Sequence, residues 1–63
     1  MVTLTSSAIR GVDYDESSGR MTLHFRSSGG YTFYGVPWEV YTGLINSGSP
    51  GTYYNNHIRG RYR

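Results

Sequence analysis

The hydrophobic period of this chain changes once, and the change falls at Gly35-Val36-Pro37. Before it, apolar residues recur at every second position: Met21, Leu23 and Phe25, then Tyr31 and Phe33. After it, Val36, Val40, Tyr41, Leu44 and Ile45 follow helical spacing. A period of two places side chains alternately on the two faces of a strand, whereas a period of 3.6 gathers them on one stripe of a helix. Strands first and helices after is the pattern of an α+β fold, with helices packed on one face of an antiparallel sheet.

The strands are bounded by turn clusters. Ala8 to Tyr14 reads as the first strand, and Val2 to Ser7, rich in Ser and Thr, leads into it. Ile9 and Val12 are three apart, so a bulge near Gly11 is needed to bring both to the core face. Asp15-Glu16-Ser17-Ser18-Gly19 is a hairpin turn. Arg20 to Arg26 is the second strand, with Thr22, His24 and Arg26 opposite the apolar face. Ser27-Ser28-Gly29-Gly30 is the next turn, and Tyr31 to Tyr34 is the third strand, with Tyr31 and Phe33 assigned to the core beneath the helices.

The expectation is therefore a three-stranded antiparallel meander packed by one helix (about 37–46) and a second short helix (about 50–58). Pro37 suits the first turn of a helix, and Glu39 lies where the helix dipole favours a negative charge. Gly43 falls inside this helix, at a cost of up to about 1 kcal/mol relative to Ala. Ser49-Pro50 reads as an N-cap followed by proline at the first helical position. Tyr54 and Ile58 would share a buried face of the second helix, and Tyr53 and His57 an adjacent one. The free face of the sheet would present Thr22, His24, Arg26, Thr32 and Tyr34.

A chain of 63 residues is a single domain, 1–63. A domain this small buries only about 60% of the surface its unfolded chain exposes. Its core is thin, so a homo-oligomer, formed through strand edges or the open sheet face, is a reasonable expectation. There is no cysteine, which excludes disulfides and thiolate metal sites. No apolar run approaches the roughly 20 residues that span a membrane, and no basic-then-apolar leader is present. A soluble, cytoplasmic protein without a membrane partner is the default. No Walker loop, dinucleotide fingerprint or nucleophile elbow occurs, and the two His and four acids lack metal-ligand spacing. Nothing in the spacing joins His24 and His57 into an acid–base pair beside Arg59. No enzyme, metal or cofactor is expected.

The charged and aromatic residues carry the functional hint. All six basic residues are arginine, and seven tyrosines dominate an aromatic content of 16%. Arginine offers a planar fork of donors for phosphate, and it stacks on flat rings. Unpaired bases stack on aromatic rings for about 1–3 kcal/mol each. The candidate phosphate contacts are Arg10, Arg26, Arg59 and Arg61. The candidate stacking or polar contacts are Tyr34, Tyr53, Asn55 and His57. The start of the second helix, Ser49-Pro50-Gly51, is a weaker anion site, because Pro50 contributes no N–H.

Taken in order, Ser7-Ala8-Ile9 through Tyr14, Leu23-x-Phe25, Tyr31-x-Phe33-Tyr34-Gly35-Val36-Pro37, Val40-Tyr41, Ser49-Pro50-Gly51-x-Tyr53-Tyr54-Asn55 and Ile58-Arg59 resemble the KTSC domain. That family is named for an appendage at the C-terminus of some lysyl-tRNA synthetases. It also occurs as stand-alone small proteins of bacteria and phages. The aromatic-x-aromatic signature of the family, usually Tyr-x-Tyr, maps onto Tyr31-Thr32-Phe33, where Phe33 lacks the second hydroxyl. Tyr54 stands where the family often has Phe. The synthetase context implies RNA binding, with no established activity. The leading expectation is a small non-enzymatic module that binds RNA through Arg–phosphate contacts and Tyr–base stacking. The alternatives are a homo-oligomer that sequesters a small cyclic or signalling nucleotide, and a protein-interaction module with no nucleotide ligand.

Overall fold

A computed structural model describes residues 1–62. It has four strands followed by two helices. The strands are β1 (Val2–Thr3), β2 (Ile9–Asp15), β3 (Arg20–Phe25) and β4 (Gly29–Phe33), and the helices are α1 (Trp38–Asn46) and α2 (Pro50–His57). The sheet runs β1-β2-β3-β4, each strand antiparallel to its neighbour. The α+β architecture is as expected, but the meander has four strands rather than three. The added strand is only Val2–Thr3, paired as Val2↔Val12 and Thr3↔Gly11. Two residues carry no period, so it left no pattern to read. The pairing continues in a hydrogen bond from the Leu4 N–H to the Arg10 carbonyl, 2.9 Å, and Leu4 is buried.

The expected bulge is present. The β2–β3 register shifts between Ile9 and Gly11, leaving Arg10 as the extra residue. Ile9 and Val12 are consequently both fully buried. With Met21 and Leu23 they form the sheet's contribution to the core; Val36, Tyr41, Leu44 and Ile58 come from the helical half. Burying each such aliphatic side chain contributes about 1.5–3 kcal/mol.

Two aromatic groups fasten the helices at different ends of the sheet. Under α1, Tyr14 stacks on Tyr41 with ring centroids 4.4 Å apart and lies 6.0 Å from Trp38. The Tyr14 hydroxyl donates to the Val36 carbonyl at 2.7 Å. Under α2, Tyr54 meets Phe25 edge-on at 5.0 Å and Phe33 at 6.0 Å. The β2–β3 turn closes at Gly19, whose φ of +71° favours glycine, and a Cβ there would stand 3.3 Å from the Val36 backbone. The Gly19 carbonyl accepts the Val36 N–H at 2.9 Å, tying the hairpin to the start of the helical layer.

Several details depart from the sequence reading. β4 takes in Gly29 and Gly30, read as turn, and ends at Phe33, so that Tyr34 lies beyond it. α1 begins at Trp38, and Pro37 stands outside it as an extended N-cap residue. α2 ends at His57, where the Ile58 and Arg59 N–H groups both donate to the Tyr54 carbonyl, at 3.0 and 2.8 Å. Ser49 takes the N-cap position without a side-chain cap; its hydroxyl bonds Thr52 Oγ1 at 3.0 Å instead. Tyr31 lies on the apolar side of the sheet as alternation requires, yet it is 51% exposed. Phe33 of the same strand packs under Tyr54, whereas Tyr31 meets only the edge of Phe25, at 5.6 Å, and keeps half its surface open.

Candidate functional site

The candidate arginines divide by position. Arg10 is the bulge residue of β2, and Arg26 lies in the β3–β4 turn, where its N–H donates to the Ala8 carbonyl at 3.0 Å. Both therefore belong to the end of the β2–β3 hairpin away from its turn. Arg26 Nε also donates to the Ser6 carbonyl at 2.7 Å, which orients the side chain and leaves the rest of the guanidinium outward. Arg59 and Arg61 follow α2, in a turn where the Arg61 N–H donates to the Ile58 carbonyl at 3.0 Å. All four are exposed. Among the described residues, the ion pairs found both involve Asp13 and neither involves an arginine.

The aromatic and polar candidates do not form one site. Tyr53 and His57 do meet, with ring centroids 4.4 Å apart and planes tilted by 34°. The other side of Tyr53 is packed on α1, where its hydroxyl and ring occupy the space a Cβ at Gly43 would need. Gly43 thus permits close approach of the two helices, which sequence alone presented only as a cost. Asn55 is exposed on the same helix. Tyr34, 59% exposed, lies just beyond β4 on the open face of the sheet, away from Tyr53 and the helices.

That open face holds a groove of about 470 Å³ lined by Asp13, Tyr14, Asp15, Arg20, Thr22, Thr32 and Tyr34. Thr22 and Thr32 are cross-strand partners whose hydroxyls bond at 3.0 Å. Arg20, Asp13 and Asp15 were not among the expected site residues; the register that aligns Asp13 with Thr22 and Thr32 is what gathers them. Two carboxylates in the lining make this groove a poor home for a phosphate. His24 Nε2 stands 2.8 Å from Asp13 Oδ2, and the N-terminal amine 3.2 Å from Oδ1.

The carboxylates have their own partners. The hydrogen bond to His24, then that to the N-terminal amine, holds the Asp13 carboxyl below its ordinary value. The Ser17 hydroxyl, at 2.7 Å, and the Ser17 N–H, at 3.1 Å, do the same for Asp15. Asp15 and Arg20 face each other across β2 and β3 without forming an ion pair. Burial, followed by the charges of Glu16, Glu39 and Asp15, raises the Tyr14 phenol. The carboxylates thus surround the hairpin turn and the start of α1. Among the described residues no group of three or more His, Asp or Glu could hold a metal ion, and no helix is long and apolar enough to cross a membrane.

Comparison with known proteins gives a consistent result. The family model of the KTSC domain matches residues 5–62. A protein of Tsukamurella paurometabola is 33% identical over 63 residues, spanning all of this chain and 94% of that one. The crystal structure of a KTSC domain protein from Yersinia pestis is similar with a TM-score of 0.94 and 26% identity, over 97% of this chain and 86% of that one.

Proposed function

The chain belongs to the KTSC domain family, and from that premise we propose that it is a non-enzymatic module that binds single-stranded RNA. One observation supports this reading above the others. Arg10, Arg26, Arg59 and Arg61 are exposed and have no carboxylate partner among the described residues, although the chain carries four carboxylates. Exposed guanidinium forks without partners suit bidentate contact with phosphates. His57 and the exposed part of Tyr53 lie on the helix that leads into Arg59, and they offer a ring surface for a base. Asn55, exposed on that helix, supplies polar contact with a base edge or ribose.

A titration of a short, unstructured, fluorescently labelled RNA tests the reading. Arg59→Ala and Arg61→Ala should each weaken binding several-fold while leaving the far-UV circular dichroism unchanged. Unchanged affinity in both variants would remove the phosphate contacts on which the reading depends. Stoichiometric capture of a small nucleotide, without affinity for RNA, would transfer the function to the nucleotide-sequestering alternative.

A further inference from the structure

The two edges of the sheet are built differently. β1 is two residues long, and the Leu4 N–H extends its pairing into the loop. β4 is five residues long, pairs regularly with β3, and has no strand on its other side among the described residues. Natural edge strands are blunted by charge, proline, bulges or covering segments. β4 has none of these: Gly29-Gly30-Tyr31-Thr32-Phe33 carries no charge and no proline, its register with β3 is unbroken, and its first four residues are exposed. No charged residue stands anywhere between Arg26 and Glu39.

We propose that β4 pairs antiparallel with β4 of a second copy of this chain, joining two four-stranded sheets into one eight-stranded sheet around a two-fold axis at Tyr31. The occupant is a second copy because the strand is complementary to itself. Run antiparallel about Tyr31, Phe33 of each copy falls opposite Gly29 of the other, and Thr32 opposite Gly30. Large residues meet glycines, and the two Tyr31 side chains meet at the axis. A two-fold axis sets the residue on it against its twin and brings the flanking residues close to their copies, so a charge there would meet its like; this stretch has none. Tyr31 and Tyr34, 51% and 59% exposed, are the aromatic surface such pairing would cover. Two edge strands and these rings bury on the order of 1,000 Å², the lower limit for a specific interface. Dissociation in the micromolar range is the consequence.

Sedimentation equilibrium of the full chain from about 5 to 500 µM reads the outcome directly. The wild type should move from the monomer mass of 7.1 kDa toward twice that value. Tyr31→Lys, which sets two like charges face to face at the axis, should remain monomeric. Tyr31→Phe keeps the ring and should dimerise as the wild type does. Circular dichroism checks that both variants are folded. A wild type monomeric throughout, leaving the edge to an extended segment of another protein, would overturn the proposal. Dimerisation of Tyr31→Lys as strong as that of the wild type would overturn it equally.

Discussion

The β2–β3 turn and the opposite end of the same hairpin handle charge in contrasting ways. At the turn, Asp15 is held by Ser17, partway along the hairpin Asp13 is held by His24, and Glu39 sits in the first turn of α1. At the other end, Arg10 and Arg26 have no carboxylate within reach, and Arg59 and Arg61 after α2 are equally unpaired among the described residues. Two of the four carboxylates are held within the chain, and under the proposed RNA-binding reading the arginines, without carboxylate partners among the described residues, serve phosphates. Exposed ion pairs contribute little to stability, so there is small thermodynamic pressure to pair these arginines. Asp13 and Asp15 nevertheless have partners within the chain, whereas no arginine has a carboxylate partner among the described residues, and this contrast supports the reading proposed above.

The contrast depends on the two helices holding their places, and the largest effect comes from separating them. Gly43→Leu would force Tyr53 out of its position on α1. Overpacking of this kind costs about 1–3 kcal/mol, and thermal unfolding should register the loss. The next effect is confined to the acidic end. Tyr14→Phe removes the hydrogen bond to the Val36 carbonyl and should cost about 1 kcal/mol. Because the Tyr14 phenol is raised above its ordinary value of 10.0, its contribution is complete below pH 10 and lost as the pH rises beyond that. The wild type should therefore weaken on alkaline titration, and Tyr14→Phe should show a shallower decline.

A smaller effect discriminates between the ends by ligand rather than by stability. Arg59→Ala should weaken RNA binding several-fold, whereas Arg20→Ala, beside the carboxylates of the groove, should stay within about twofold of wild type. Equal losses at both positions would erase the contrast. The smallest effect is expected in acid. The Asp13 carboxyl is lowered from 3.8, so its stabilising contribution is present above that value and lost as the pH falls through the lowered one. Asp13→Asn should lose that part of the acid transition, followed by denaturant midpoints between pH 2 and 6.

Much of the fold was legible because periodicity survives in single residues. Met21-x-Leu23-x-Phe25 announced β3, and the three-residue spacing of Ile9 and Val12 announced a bulge near Gly11, which the register places at Arg10. β1 was not legible, because Val2–Thr3 is too short to alternate. Tyr31 shows a second limit: alternation tells which side a residue takes, and only the reach of the helices decides whether that side is covered. Gly43 is a third, since its value lies in Tyr53, ten residues away on another helix. For the site, the sequence placed Tyr53 beside His57 correctly. It did not place Arg20 with Tyr34 and the threonine pair, because cross-strand register is a property of the sheet and not of any one strand.

The most direct test of the division between the ends is the salt dependence of RNA binding by the wild-type chain. Four arginine–phosphate contacts on a single strand predict a log–log slope of about −2.8, or roughly a 50-fold loss of affinity between 50 and 200 mM salt. Measured binding with that slope would place the unpaired arginines on phosphates. Absence of binding at 50 mM salt, or an affinity that does not change between the two concentrations, would contradict the account.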